Sequence, residues 1–123
     1  MFISQPFDEF LEVRYERITD TSVKVTLPIK PIFTASSGFI RGGIISTLAD
    51  AALRNAISPD EHGRPKVAAV DVNVTFLKKS KSTTLIARAF AVKEGANLTH
   101  ADCIIHDEHD QVIAKAKAIL FNH

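Results

Sequence analysis

The chain of 123 residues carries 15 Lys or Arg against 14 Asp or Glu, a formal net charge of +1, which leaves no electrostatic footprint for nucleic acid or an anionic membrane. With 46% hydrophobic residues it can bury a core, and the length predicts a single domain over residues 1–123. The lone Cys103 excludes an intrachain disulfide, the first residues lack the regions of a signal peptide, and no stretch reaches membrane-spanning length; a cytoplasmic location is expected.

In chain order, residues 6–11 (PFDEFL) predict one short helical turn that packs Phe7 and Phe10. Residues 12–19 follow as a strand, with Asp20-Thr21 as a turn. Across residues 22–29, Val23, Val25 and Leu27 alternate with polar neighbours, the mark of a strand with one buried face. Pro28 and Pro31 place its end at a sheet edge. Residues 31–39 are loop, and Gly42-Gly43 then opens the one long helical pattern, GGIISTLADAALRNAIS. There Ile45, Leu48, Ala49, Ala52 and Ala56 recur at helical spacing, and Ser58-Pro59 ends the pattern.

After an exposed loop at 60–65, residues 66–79 predict a strand with Ala68, Val70, Val72, Val74 and Phe76 on one face. Ala69, Asp71, Asn73 and Thr75 take the other. Further strands are expected at 83–93, 98–106 and 112–121, joined by hairpin loops at 95–97 and 107–110. In the last strand Val112, Ala114, Ala116, Ala118 and Leu120 make a face of mostly small residues, suited to a sheet that wraps closely around a helix. The fold class is therefore α+β: one long helix against an antiparallel sheet of five or six strands.

The segment SGFIRGGIISTLADAA (37–52) carries the chemistry. The first N–H groups of a helix lack intrahelical acceptors and sit at a positive dipole end. Without side chains, Gly42 and Gly43 let a ligand's carbonyl oxygen approach those donors, and an oxyanion formed there is stabilised. The same glycines equally suit a tight entry into the helix. Asp50 lies seven residues after Gly43, on the same helix face. Its carboxylate can act as general base on water, or attack a thioester itself. It is also spaced for an ordinary ion pair with Arg54, four residues on.

Other clusters carry less. His106-Asp107-Glu108-His109-Asp110 sits at a hairpin, and no metal site is expected. Cys103, in mid-strand, reads as a buried structural thiol. Lys78-Lys79-Ser80-Lys81 fits a solvated turn, and equally fits contact with the phosphates of a nucleotide-bearing ligand. No Gly-x-Ser-x-Gly elbow, P-loop or dinucleotide fingerprint occurs, and no cofactor is implied.

Gly38-Phe39-Ile40-Arg41-Gly42-Gly43 followed by Leu48-Ala49-Asp50 resembles the G-x-x-H-G-G…L-x-D signature of hot-dog thioesterases, nearest to the phenylacetate-degradation (PaaI-like) branch. The similarity continues through VDVNVTFL (70–77), VKEGA (92–96) and VIAKAKAILF (112–121). The resemblance implies a long helix wrapped by a sheet, homodimers or dimers of dimers, and an acyl-CoA or acyl-carrier-protein substrate at the dimer interface. It implies that the N–H matching Gly42 polarises the thioester carbonyl, and that Asp50 of the other protomer activates water or attacks. Substrate contacts would fall at Arg41, Gly43, Phe39 and Ala69, with Phe33 and Phe39 near the acyl group. Three positions depart from the pattern. Arg41 stands for the histidine before the glycines, Ala35 for an asparagine, and Ala69 for a serine or threonine that helps hold water. Arg41 can replace the histidine as an electrophilic clamp or pair with Asp50 and hold it unreactive. A non-catalytic acyl-CoA-binding protein is the alternative function.

Overall fold

The computed structural model describes residues 2–123. Helix α1 (Pro6–Leu11) leads into strands β1 (Arg14–Thr19) and β2 (Ser22–Pro28). A 3-10 turn (Pro31–Phe33) and the long helix α2 (Gly42–Arg54) follow. The chain closes with β3 (Val67–Phe76), β4 (Thr84–Glu94), β5 (Leu98–Asp107) and β6 (Val112–Asn122). All six strands form one sheet of order β1-β2-β4-β5-β6-β3, antiparallel throughout. The expected α+β layout, one long helix on an antiparallel sheet, is the one observed.

Alternation explains the packing. Val23, Val25 and Leu27 of β2 and Leu85, Ala87 and Ala89 of β4 all face α2. Ala101, Cys103 and Ile105 of β5 join them, with Ala114, Ala116 and Ala118 of β6. The helix returns Ile45, Leu48, Ala49, Ala52 and Leu53 to the same core. Alanine on both sides lets helix and sheet backbones approach, so burial comes from contact area rather than from large side chains.

Several boundaries differ from the sequence expectation, each for a local reason. Strand β1 starts at Arg14, because Glu12 is the left-handed C-cap of α1 at φ 62°. Helix α2 stops at Arg54, short of Ser58-Pro59. There the buried Asn55 side chain donates to Ala51 O at 2.9 Å and exchanges bonds with Ile3 O and Ile3 N–H at 2.8 and 2.7 Å. Such a side chain satisfies carbonyls that the next helical turn would have taken. Strand β2 is interior, yet β1 pairs only as far as Thr26, so Pro28 lies past its partner on that side.

Two bulges move faces. In β3 the register shifts between Ala69 and Asp71, leaving Ala68 and Val70 exposed and Val67 as the buried residue of the strand; only Val72 and Val74 pack partly against the core. In β6 the shift opposite Ile105 and His106 turns Ile113 inward and leaves Val112 exposed. Strand β3 closes the order with one neighbour only, β6, so its far edge is unpaired within the protomer. No described helix is long and apolar enough to cross a membrane.

Candidate active site

The start of α2 is fixed from two sides. Thr34 and Ile40 form an isolated antiparallel bridge; Ile40 N–H donates to Ser80 O at 2.9 Å and Arg41 N–H to Phe33 O at 3.0 Å. These bonds hold Arg41 extended at φ −67°, ψ 139°, as the N-cap of the helix, with no capping bond from its own side chain. Ile44 and Ile45 N–H turn back to Arg41 O at 3.0 and 3.3 Å. Among the described residues the N–H groups of Gly42 and Gly43 have no acceptor. They are the exposed positive end of a helix of 13 residues.

The two glycines are not equivalent. A Cβ on Gly42 would lie 3.3 Å from the tip of the Phe76 ring, whereas one on Gly43 would meet nothing within 4 Å. A side chain at 42 would press on the exposed Phe76 ring, which would have to give by a few tenths of an ångström; nothing packed within the protomer requires glycine at 43. Gly42 opens into a cleft of about 500 Å³ lined by Phe39, Arg41, Ile45, Phe76, Leu77 and Lys79, with Ala35 and Lys78 also on its wall. The floor is apolar and the mouth is cationic. Lys79 and Lys81 place their ammonium groups 5.5 and 4.8 Å from the centre of the Phe39 ring, and Lys78 Nζ donates to Gln111 Oε1 at 2.8 Å. A smaller depression of about 330 Å³ lies on the outer face of the sheet between Asn73, Thr75, Asp102 and Lys117.

Asp50 is not in that cleft. Seven residues at 1.5 Å rise put it about 10 Å along the helix from Gly43, in line with Gly43, Thr47 and Arg54. Its side chain is 41% exposed; Arg54 Nε donates to its Oδ2 at 3.1 Å, and Nη2 lies 3.0 Å from the same oxygen as an ion-pair contact. The ion pair anticipated from spacing is present, and it is made by Arg54, not Arg41. Arg41 makes no ion pair among the described residues. Arg54 Nη2 also reaches Asp8 Oδ2 in α1 at 3.2 Å.

The remaining sequence candidates separate. Phe39 and Ala35 line the cleft, but Phe33 is 2% exposed and belongs to the core, so it does not line an acyl site. Ala69 sits at the β3 bulge, exposed and outside the cleft. Within one protomer the structure thus joins Phe39, Arg41 and Gly42, and leaves Gly43, Asp50 and Ala69 elsewhere. Cys103 is buried; burial pushes its thiol up to about 12, with the Asp102 carboxylate adding to the effect, as a structural thiol requires. In the 107–110 hairpin, Asp107 Oδ1 accepts from His109 and Gln111 N–H at 2.8 and 3.0 Å and shapes the turn. The wall residues Phe76 and Leu77 escaped the sequence reading, which only placed Phe76 on the apolar face of its strand; two consecutive apolar residues at a strand end were the available signal.

Residues 37–114 match the model of the thioesterase superfamily. A protein of Archaeoglobus fulgidus, named provisionally as an esterase, is 25% identical over 98% of this chain and 77% of its own length. A thioesterase family protein of Silicibacter pomeroyi is 27% identical, with a TM-score of 0.81 over 95% of this chain and 88% of that one. The PaaI protein of the E. coli phenylacetic acid degradation operon shares the fold at a TM-score of 0.84 with 17% identity, covering 97% of this chain and 85% of its own.

Proposed function

Because the chain belongs to the thioesterase superfamily, we propose that residues 1–123 act as one hot-dog domain that hydrolyses an acyl-CoA or acyl-carrier-protein thioester in the cytoplasm. The observation that carries this reading is the unpaired N–H of Gly42, a residue that lines a cleft of apolar side chains together with Arg41, Lys78 and Lys79. The thioester carbonyl accepts from that N–H, which strengthens as charge develops on the oxygen in the tetrahedral adduct. The acyl group lies against Phe39, Ile45 and Phe76. Lys78, Lys79 and Lys81 favour a carrier thiol that bears phosphate, which is what singles out CoA or a phosphopantetheine arm from simple thioesters.

Asp50 is the base or nucleophile. It lies too far from its own Gly42 cleft to serve it, so the reading requires Asp50 of a second copy, brought up in a homodimer, alone or paired into a tetramer. The unpaired edge of β3 and the stripe of exposed Gly43 with partly exposed Thr47 and Asp50 support that arrangement. Asp50 takes a proton from water as the water oxygen bonds to the carbonyl carbon; collapse of the adduct breaks the C–S bond and releases thiol and acid. Alternatively the carboxylate attacks the carbonyl carbon first, the C–S bond breaks to expel the thiolate, and water opens the resulting anhydride to the free acid and the Asp50 carboxylate.

The departures at Ala35, Arg41 and Ala69 favour a second reading, an acyl-CoA-binding protein without efficient turnover. Thiol release from a panel of acyl-CoAs decides between them. Turnover by the wild type, reduced about 10²- to 10⁴-fold in Asp50→Asn, is expected. A silent wild type that binds acyl-CoA, with activity gained by Arg41→His, would instead establish the binding role.

A further inference from the structure

Asp50 does not stand alone on α2, and its surroundings differ from those of an ordinary exposed pair. Arg54 Nε donates to Oδ2 of Asp50 at 3.1 Å, and Nη2 lies 3.0 Å from the same oxygen as an ion-pair contact. Oδ1 takes no hydrogen bond among the described residues, on a side chain that is 41% exposed. The guanidinium is itself restrained: its side chain is 20% exposed, and Nη2 reaches Oδ2 of Asp8 at 3.2 Å. Asp8 is 2% exposed at the side chain and comes from α1, 46 residues away in sequence. The same Asp8 oxygen accepts the Gln5 N–H at 2.9 Å, which ties it to the first turn of α1.

Burial of a carboxylate demands partners, and Asp8 has two. An exposed i,i+4 pair contributes little and leaves both side chains free to sample rotamers. Here the arginine is gripped from behind by a buried anion, so its planar fork is already oriented when it meets Asp50. The gradient of exposure runs from Asp8 through Arg54 to Asp50, from fixed to functional.

We propose that Arg54 is a positioning residue for Asp50, anchored by the buried Asp8, so that α1 forms part of the catalytic apparatus. The proposal rests on the reading of Asp50 as base or nucleophile. Arg54 occupies Oδ2, fixes the carboxylate plane and presents Oδ1 to water or to the carbonyl carbon. A shift of about 1 Å in such a group is enough to cost on the order of a hundredfold in rate.

The test uses the full chain and an acyl-CoA that the wild type turns over. Arg54→Gln is expected to lower kcat about 10- to 100-fold with KM within about twofold, since Arg54 does not line the cleft. Asp8→Asn should fall in the same direction by less, and Arg54→Lys should recover part of the loss. The deciding measurement is the pair Asp50→Asn and Asp50→Asn/Arg54→Gln. If Arg54 acts through Asp50, the double variant is no slower than Asp50→Asn alone, whereas independent effects multiply. Unchanged kcat in Arg54→Gln beside a large loss in Asp50→Asn would overturn the positioning role while leaving Asp50 as the base. Unchanged activity in Asp50→Asn, or a wild type silent on every thioester, would overturn both. Should Arg54→Gln not fold by far-UV circular dichroism, Asp8→Asn and Arg54→Lys carry the same comparison; equal kcat in both folded variants would sink the proposal.

Discussion

The two proposed sites on α2 are built on opposite terms. At the helix start the groups on offer are backbone: Gly42 and Gly43 N–H are free, Arg41 lies on the wall of the open cleft, and Lys79 and Lys81 sit over the Phe39 ring. Two turns later the group on offer is the Asp50 side chain, tied down by Arg54 and, through it, by Asp8. A donor fixed by helix geometry needs no support, because the backbone already holds it. A carboxylate on an exposed side chain has rotamers to lose, and needs a network to keep it in place. The two ends also face different ways, the first into its own cleft and the second outward along the stripe of Gly43 and Thr47.

That separation is broken or confirmed most directly by mixing two inactive variants. Gly42→Val and Asp50→Asn protomers, unfolded together and refolded, are expected to recover roughly a quarter of wild-type turnover, since about half the dimers are mixed and each holds one intact site. No recovery would mean that both groups act within one chain.

A smaller effect separates the two glycines. Gly42→Ala pushes a methyl group against Phe76, already 3.3 Å away, and should reduce kcat/KM about tenfold by moving the cleft wall. Gly43→Ala has open space in the protomer and should leave thermal stability unchanged or raised, by at most about 1 kcal/mol. A loss of thiol release at Gly43 larger than at Gly42 would shift the approach of the substrate from the first N–H to the second.

The smallest effect concerns what braces the cleft end. Glu108 accepts from Thr83 N–H and Oγ1 and from Thr84 N–H, holding the segment that follows the three lysines. A bond from its own backbone N–H, with those from Thr83 and Thr84, outweighs desolvation and holds its carboxyl below the usual range. A lowered folded-state value means that the contribution to stability is present above the ordinary glutamate range and is lost as pH falls through the lower one. Denaturant midpoints should therefore drop below about pH 4, and Glu108→Gln should make that acid limb shallower without altering kcat at neutral pH.

Much of the architecture was legible because it follows from short-range pattern. Alternation in residues 22–29 and 83–93, and the run of alanines in 112–121, marked the strands and the surface they offer to the helix. The bulges in β3 and β6 escaped, since a single extra residue at Val70 or Ile113 leaves no mark on an apolar pattern and is decided by what pairs across the ladder. The Asp50–Arg54 pair was legible as a four-residue spacing. Its extension to Asp8 was not, because nothing local links residue 8 to residue 54.

By itself, then, the sequence determined the elements, the helix start at Gly42-Gly43, and the placing of Asp50 on the face that Gly43 shares, all consequences of helical and strand periodicity. Tertiary structure alone decided that Gly42 lies against the Phe76 ring, that Phe33 is core while Phe39 walls a cleft, and that a buried aspartate from α1 grips Arg54. Those facts depend on which surfaces meet after the chain has folded, and contacts across dozens of residues carry no period that a sequence can display.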